Sequence, residues 1–449
     1  MYFPLVGIPK TIEQAMLPFR PLFAKKQGFS HILHYLTGLF LSPNKTLQGI
    51  HHLILPLEQE KTSSRAMHQA VFETPWNSQN LMSQHRELLA KDYKPYKGRS
   101  VISLDWTLIH HQKGPHIYAA KKSYDYVQQN YSCFQTLITA TVANRNLIDG
   151  LALEVQNPSN EKEEKAYLMA TKREQYEEME QVHQRLSELL HHQKHNLAYK
   201  KRTLIILEVV KQLEEEGHFP NSDYAFDNGV LTLELTQLIE SKNKHWVSQI
   251  ECNRKIYWKG EQKRVDEIDL ELKENARESF RKVNVKLRNG ESKEYWAFTK
   301  VVRLKRYGKK RLVIVHEKSD LSDEGRYLLT DATHWESGRI LEVWSYRWTC
   351  EIFHEFSKQV TGLESSQVRK EEAVNRHFRL TCVAQSILQR VTCKESKSEK
   401  FKFAQGEKTV GQQCHHLARE NLLNLLQLAK NLFSRGESCE KVLEFFLPV

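Results

Sequence analysis

The hydrophobic pattern of this chain changes its period at Gly98, and that change is the strongest constraint on the fold. Before Gly98, apolar residues recur at helical spacing, as in the run over 32–40. After it, the segment Ser100–His110 (SVISLDWTLIH) alternates as a strand does. Further β-rich runs cover residues 116–120, 134–143 and 149–155. A helical region over 1–97 followed by alternating segments predicts a chain of the α/β class.

The later segments predict how the rest of the chain is divided. A helical insert over about 161–216 interrupts the first β-rich part; it consists of a charged helix over 161–194 and a second helix over 201–216. A short strand over 223–227 follows it. Over 255–315 the period returns to two, which predicts an antiparallel β-rich block. One continuous helix is expected over 340–360, and the tail is helical again. The expected regions are residues 1–97, 98–254, 255–320, 321–390 and 391–449.

Length, charge and missing motifs narrow the class of protein. A chain of 449 residues is too long for one ordinary core and predicts several domains. Sixty-six Lys and Arg against 55 Asp and Glu give a formal net charge of +11, which suggests a polyanionic partner but does not choose between nucleic acid and a membrane surface. The motifs GxSxG, GxxxxGK(S/T) and GxGxxG are absent from the sequence, which argues against a hydrolase elbow, a P-loop and a dinucleotide fold.

Targeting features of the sequence suggest a cytoplasmic protein. No apolar run reaches 18 residues, so no membrane span and no membrane partner are expected. The start, MYFPLVGIPKTIEQ, lacks the charged and apolar regions of an export signal. Seven scattered cysteines without a CxxC motif fit reduced thiols in a cytosol.

Three carboxylates stand in contexts that suggest metal chemistry. Asp105 lies inside a hydrophobic strand, where a buried charge is costly unless it has a partner or a metal. Asp227 ends a second short strand, and Glu351 lies in the middle of a predicted helix. Two strand carboxylates and a helix carboxylate that converge can hold two Mg²⁺ ions for phosphoryl transfer. Taken singly, each has an ordinary interpretation as a structural strand residue, a turn residue or a member of a salt-bridged helix face.

The expected helix around Glu351 carries the most specific pattern. Trp344, Arg347, Glu351 and Lys358 are separated by 3, 4 and 7 positions, so they are expected to project from one side of a helix. An acid flanked by two cations on one face can bind a metal while the cations hold the adjacent phosphates.

These segments resemble a known family. The stretch WSYRWTCEIFHEFSK reads W-x2-R-x3-E-x6-K, and it resembles the Y-x2-R-x3-E-x6-K signature of bacterial insertion-sequence transposases of the DDE type, in particular insertion-sequence family 701, with Trp344 in the tyrosine place. ISLDWTLIHH and YAFDNGVLT are similar to the segments of the first and second aspartates. FSHILHYLTGLFLSPNKTLQGI and TGLESSQVR also resemble the family, so the resemblance covers most of residues 20–390.

The resemblance implies a fold and an activity. The expected fold is α/β, with an RNase H-like catalytic core, an antiparallel β-rich insertion between the second aspartate and the glutamate, and helical N-terminal and C-terminal regions. Asp105, Asp227 and Glu351 would bind two Mg²⁺ (or Mn²⁺) ions. The expected activity is cleavage of double-stranded DNA at element ends and joining of the 3′-hydroxyls to target DNA, by a homodimer associated with the bacterial nucleoid. Two alternatives stay open: a nuclease on the same fold that never joins strands, and a DNA-binding transposase remnant without activity.

Basic residues suggest where DNA would bind. Arg347 and Lys358 are expected to hold phosphates beside the scissile bond, while Trp344 would either stack on an unpaired base or pack on the core. In the region 1–97, the expected phosphate contacts are Lys45, Lys61, Arg65 and Arg86. In the β-rich block, the run RLKRYGKKR contributes Arg303, Lys305, Arg306, Lys309 and Lys310. The alternatives are a plain helical cap for the first region and a solubilised sheet edge for the second, and the sequence does not rank the two regions.

Overall fold

The chain has a mixed α/β fold built around a mixed sheet, which confirms the predicted class. The computed structural model describes residues 3–55, 63–94, 98–111, 116–157, 180–181, 183–184, 186–188, 199–288, 290–391 and 410–446. Two predictions therefore fall largely or wholly outside the described residues, namely the role of Lys61 and the charged helix over 161–194.

Among the residues that the structure describes, twelve strands form one sheet. They are β1 (Ser100–His110), β2 (Lys121–Asp125), β3 (Asn130–Ala143), β4 (Ile148–Gln156), β5 (Ser222–Phe226), β6 (Trp246–Gln249), β7 (Lys255–Trp258), β8 (Glu261–Arg264), β9 (Arg281–Lys286), β10 (Ser292–Leu304), β11 (Gly308–His316) and β12 (Arg326–Thr330). The sheet runs β2-β3-β1-β5-β6-β12-β11-β10-β7-β8, with β4 paired to β3 and β9 paired to β10.

The direction of strand pairing changes across the sheet, from mixed on one side of β6 to antiparallel on the other. In the part ordered β4-β3-β1-β5-β6, strand β3 is antiparallel to both β4 and β1, whereas β5 is parallel to β1 and to β6. Beyond β6, strand β12 and its neighbours β11 and β10 pair antiparallel. The strands expected over 255–315 therefore extend the same sheet, because β11 bonds to β12 and β12 bonds to β6.

Helices cover both faces of the sheet and one of its ends. They are α1 (Lys10–Met16), α2 (Lys26–Leu41), α3 (Leu47–Leu53), α4 (Ser64–His68), α5 (Ser78–Tyr93), α6 (Arg202–Glu216), α7 (Leu233–Ser241), α8 (Val265–Asn275), α9 (Ser337–Ser345), α10 (Thr349–Gln359), α11 (Glu371–Gln389), α12 (Val410–Ser434) and α13 (Cys439–Phe446). A π-helical turn, Gln69–Glu73, follows α4, and 3-10 turns occur at Leu17–Leu22, Arg277–Ser279 and Tyr346–Trp348. Within the described ranges, no helix is both long enough and apolar enough to cross a bilayer.

Three hydrophobic clusters account for the packing. Alternate residues of β1 enter different clusters: Leu104 packs with α6, α7 and α8 on one face, and Val101 packs with α9, α10 and α11 on the other. The third cluster joins α1, α2 and α5 to α11 and α12, so residues from both ends of the chain share it. Asn421 of α12 also accepts a hydrogen bond from the Val6 amide at 2.9 Å.

Two predictions of local structure are wrong. The segment 116–120 forms turns rather than a strand, with a 3.0 Å bond from the Ala120 amide to the Ile117 carbonyl, and the strand begins only at Lys121. The β-rich block also contains a helix, α8, which the alternation of its neighbours concealed. Its short helical pattern places Val265, Ile268 and Leu272 in the core.

The continuous helix expected over 340–360 is also wrong, because it is two helices. The 3-10 turn Tyr346–Trp348 separates α9 from α10. The carbonyl of Tyr346 accepts hydrogen bonds from the hydroxyls of Ser103 at 2.9 Å and Thr349 at 2.7 Å. Side chains that enter the backbone ladder in this way bend helices. The bond from Ser103 also ties the turn to β1, so the break in the helix positions α10 against the sheet.

Candidate active site

The first two carboxylates lie at the same level of neighbouring parallel strands. Leu104 of β1 is paired with Phe226 of β5, so Asp105 and Asp227 are the next residues of each chain segment. Leu104 packs into the cluster that contains α6, and side chains alternate along a strand. Asp105 therefore faces the opposite side of the sheet, where α10 packs on β1 and β3.

A guanidinium joins Asp227 to the third carboxylate. Arg347, in the 3-10 turn, places one nitrogen 3.3 Å from an Asp227 oxygen and another 2.8 Å from a Glu351 oxygen. The ion pair to Asp227 spans 120 positions of sequence and two different elements. The structure thus brings Asp105, Asp227, Arg347 and Glu351 into one cluster, as the sequence predicted, although the arginine stands among the acids rather than on one side of them.

The electrostatics of the cluster reflect crowded carboxylates in a partly buried place. Burial raises the pKa of Asp105 to about 6, against the hydrogen bond that its carboxylate accepts from the Trp106 amide at 2.8 Å. The neighbouring charges of Asp227 and Glu351 add to this rise, and Arg347 opposes it. Burial also raises the pKa of Asp227, again against Arg347. One guanidinium therefore faces three acids, and a further positive charge would stabilise their ionised forms.

The donor set is suited to a hard divalent cation. Carboxylate oxygens are the ligands that Mg²⁺ and Mn²⁺ prefer. Among the described residues, however, no group of three His, Cys, Asp or Glu side chains is arranged to hold an ion. In this arrangement the guanidinium of Arg347 engages Asp227 and Glu351 at the same time. The chemistry of the three acids fits a cation, and Arg347 provides the counter-charge in this arrangement.

Lys358 and Trp344 extend the site in different directions. The ammonium of Lys358 donates to the Leu108 carbonyl at 2.6 Å and lies 3.2 Å from Glu364, so it is anchored near the far end of β1. Trp344 packs partly against the core on the α10 side of the sheet, and its ring centre lies 5.3 Å from the guanidinium carbon of Arg347. Of the two alternatives for Trp344, packing on the core therefore applies to part of its side chain.

Two tryptophans near the carboxylates were missed in the sequence. Trp348, with 57% of its surface exposed, lies 5.9 Å from the guanidinium carbon of Arg347. Trp106 follows Asp105, and the guanidinium carbon of Arg202 lies 4.2 Å from the centre of one of its rings. The sequence held a signal that could have identified both tryptophans, because each directly follows a predicted site residue.

The N-terminal cations differ widely in exposure. The prediction that Arg86 contacts DNA phosphates is wrong. Its side chain is only 2% exposed and makes two hydrogen bonds of 2.6 Å to Glu216, so it belongs to a buried structural ion pair. Lys45 is half-buried and donates to the Leu39 carbonyl, and burial lowers its pKa to about 8. Arg65 is exposed and lies 3.7 Å from Glu73.

The hairpin of β10 and β11 presents a concentrated basic surface. Its exposed cations are Arg303, Lys305, Arg306 and Lys309. Arg303 lies directly opposite Lys309 across the strands, an arrangement of like charges that destabilises a sheet in the absence of an anion. The prediction that Lys310 contacts DNA is wrong, because Lys310 is only 8% exposed and its ammonium lies 3.0 Å from a Glu240 oxygen.

Comparison with protein-family models and with curated proteins finds no match to this chain. The carboxylate cluster, the strand order and the basic surfaces are therefore the features of the molecule that bear on its function.

Proposed function

We propose that this chain is a DDE transposase of the insertion-sequence type, which cleaves double-stranded DNA at element ends and joins the 3′-hydroxyls to target DNA. The observation that carries the proposal is the cluster of Asp105, Asp227 and Glu351, two from the same level of parallel strands and one from the helix that covers them. Three acids that converge from distant sequence in a basic protein suit phosphoryl transfer on a polyanion.

The strand order supports an RNase H-like core. Three antiparallel strands, β4, β3 and β1, are followed by β5 and β6, both parallel to β1. The two aspartates come from the central pair of this arrangement. Strands β7 to β11 lie between Asp227 and Glu351 in sequence, where the β-rich insertion of the family is expected.

The residues of the cluster divide the work of the proposed reaction. Asp105, Asp227 and Glu351 would hold two Mg²⁺ or Mn²⁺ ions, which supply activation of the attacking oxygen and stabilisation of charge on the leaving oxygen. Arg347 carries paired nitrogen donors in a planar group, which suits a phosphate oxygen pair beside the acids. Lys358, fixed by the Leu108 carbonyl and Glu364, adds a second positive charge on the same side of β1.

The basic hairpin of β10 and β11 supports binding of a DNA duplex. Its four exposed cations are without ion pairs to the residues that the structure describes, so they are available to phosphates. Contacts with phosphates give affinity without sequence preference, and each adds to the salt dependence of binding. A homodimer on two element ends, in the bacterial cytoplasm at the nucleoid, completes the proposal.

The test is a joining assay with the full chain. DNA that flanks the gene is supplied as pre-cleaved ends with a 3′-hydroxyl, together with a target plasmid and Mg²⁺. Joined product supports the transposase. Hydrolysis of uncut ends without joining supports the nuclease instead, and binding without either product supports the inactive remnant. The control is Glu355→Gln, an exposed acid one turn from Glu351 on the same helix, which should leave every product unchanged.

A further inference from the structure

A second feature near the acids is a hairpin with exposed aromatic side chains. Tyr126, in the turn between β2 and β3, is 85% exposed, and Tyr131 at the start of β3 is 70% exposed. Tyr124 lies opposite Tyr131 across the two strands, and its ring centre is 5.4 Å from that of Tyr131 and 5.0 Å from that of Tyr126. Large aromatic groups clustered at a surface mark a place of interaction.

The aromatic hairpin, Lys121–Tyr131, borders a cleft that runs along strand β1. The cleft has a volume of about 670 Å³, and Tyr124 and Tyr126 line it on one side. Trp106 lines the opposite end, directly after Asp105 in β1. Clefts of this size, roughly 300–1,000 Å³, hold compact ligands such as single bases or nucleotides. A strand of nucleic acid lying in the cleft would therefore reach from Trp106, which follows Asp105 in β1, to the tyrosines.

The charges of the cleft suit an anionic occupant. Lys121, Arg202 and Lys358 line it with three positive charges. Among the described residues that line the cleft, the acidic one is Asp125. Its carboxylate is fully buried, and one of its oxygens lies 2.7 Å from a ring nitrogen of His110. Glu364 offsets the charge of Lys358 at 3.2 Å, so Lys121 and Arg202 are the cations that share this space with the aromatic rings. Aromatic rings beside cations are the combination that binds single-stranded nucleic acid.

Asp125 also fixes the shape of the hairpin. Its other carboxylate oxygen accepts hydrogen bonds from the amides of Val127 at 2.8 Å and Gln128 at 3.2 Å. Because His110 belongs to β1, the tip of the hairpin is tied to the strand that carries Asp105. A preorganised surface loses little freedom when a ligand binds.

We propose that the aromatic hairpin binds an unpaired stretch of the DNA substrate next to the scissile phosphate. Bases stack on Tyr126 in the cleft and on Tyr131, whose ring contacts Tyr124 of the cleft lining, and Lys121 and Arg202 hold the phosphates between them. This inference deepens the proposed function and rests on it for the position of the scissile phosphate. It predicts that the protein prefers DNA ends with a single-stranded overhang to fully paired ends.

The first experiment compares overhang DNA with blunt duplex by fluorescence anisotropy, with the full chain in EDTA so that no cleavage occurs. The double variant Tyr126→Ala, Tyr131→Ala should weaken overhang binding about tenfold and leave blunt duplex binding unchanged. The double phenylalanine variant keeps the stacking surface and should stay within about twofold of the parent. Phe433→Ala, which removes an exposed aromatic ring from α12, is the matched control and should change neither affinity.

The second experiment places a photoreactive 5-iodouracil at each overhang position. Crosslinks should map to residues 121–131. Unchanged overhang affinity in the double alanine variant, or crosslinks that map only to other segments, would overturn the inference. So would a change in sedimentation without a change in DNA affinity, since the hairpin would then bind a second copy of the chain. If the protein joins DNA but the hairpin does not bind the overhang, the proposed function stands and the inference fails. If the hairpin binds the overhang but the protein neither cleaves nor joins DNA, the proposed function fails instead.

Discussion

The guanidinium of Arg347 lies 3.3 Å from the carboxylate of Asp227, although the two residues lie 120 positions apart and on different elements. This ion pair closes the cluster from the helix side, since the same guanidinium reaches Glu351 at 2.8 Å. The acids are therefore compensated by a side chain of the protein, and a cation that enters competes with that side chain.

Arg347→Ala should make the protein depend on divalent cations for stability. Without the guanidinium, partly buried carboxylates face one another without a partner, so the free energy of unfolding in EDTA should fall by about 1–3 kcal/mol. Added Mg²⁺ or Mn²⁺ should then raise the melting temperature more in the variant than in the parent. Thermal unfolding with and without metal measures both effects. Arg347→Lys keeps the charge and should lie between the two, and equal metal effects in all three proteins would contradict the prediction.

Asp105→Asn should abolish cleavage and yet stabilise the protein. The pKa of Asp105 in the folded protein, about 6, is higher than its ordinary value of 3.8, so the folded state disfavours the charged form. The contribution of this group to stability is therefore present below pH 4 and is lost as the pH rises through 6. The neutral variant should gain about 1–3 kcal/mol over the parent at pH 7.5 and much less at pH 4.5. Urea unfolding in EDTA at the two pH values tests this, with Glu355→Gln as the control that should show no pH-dependent gain.

Gly229→Ala should displace Trp106 from its place beside Asp105. A β-carbon at Gly229 would come within 2.6 Å of the Trp106 ring, which is also covered by Arg202. We expect a loss of about 1–3 kcal/mol in the free energy of unfolding, a change in tryptophan fluorescence and a lower cleavage rate. Gly28→Ala is the matched control, because its β-carbon meets nothing within 4 Å and lies in α2. That variant should gain about 0.5–1 kcal/mol and keep full activity.

Replacement of Arg86 should affect folding stability, whereas replacement of Arg303 should affect the salt dependence of DNA binding. Arg86→Met leaves Glu216 without its buried partner, so the free energy of unfolding should fall by about 3 kcal/mol while the salt dependence of DNA binding stays the same. Arg303→Met, in the basic hairpin, should leave stability within about 0.5 kcal/mol and lower the slope of log affinity against log salt by about 1. A reduced salt slope in the Arg86 variant would restore its predicted role as a phosphate contact.

His377 should contribute to acid sensitivity. Its Nε2 hydrogen faces the Gly362 carbonyl at 3.1 Å, so Nδ1 accepts from the Tyr35 hydroxyl at 2.8 Å. Burial lowers the pKa of His377 to about 4, so the stability due to its neutral form is present above pH 6.5 and is lost as the pH falls toward 4. His377→Gln should reduce the loss of stability between pH 6 and pH 5 by up to about 1.4 kcal/mol per pH unit. Tyr35→Phe leaves the buried imidazole in place, and urea unfolding of this variant should retain the acid sensitivity of the parent.

The parts of the fold with a long, regular hydrophobic pattern were predictable from the sequence. The bounds of β1 agree with the prediction because apolar and polar residues alternate from Leu104 to Leu108 within an apolar run that follows Gly98. Strand β5 and helix α6 were placed within one or two residues. The meeting of Asp105 with Asp227 was also predictable, because a carboxylate inside one apolar strand and another directly after a second strand favour a shared cluster.

Features that depend on distant partners were not predictable in this way. The burial of Arg86 requires Glu216, which lies 130 positions away, and a local count of charges cannot show that pair. The break between α9 and α10 depends on a hydroxyl of β1 that reaches the Tyr346 carbonyl. The position of Arg347 between two acids follows from that break, so helical spacing alone placed it to one side of Glu351.

The hydrophobic cluster shared by the two ends of the chain has a consequence for biosynthesis. Helices α1, α2 and α5 leave the ribosome early, but their packing partners on α11 and α12 follow only after all the strands of the sheet have been made. At translation rates of about 5–20 residues per second, the apolar faces of these helices wait roughly 20–70 seconds for their cover. During that interval the nascent chain exposes Leu36, Leu39 and Ile32, all fully buried in the finished protein. Synthesis of α11 and α12, rather than synthesis of the N-terminal helices themselves, is therefore the step at which that cluster can complete its packing.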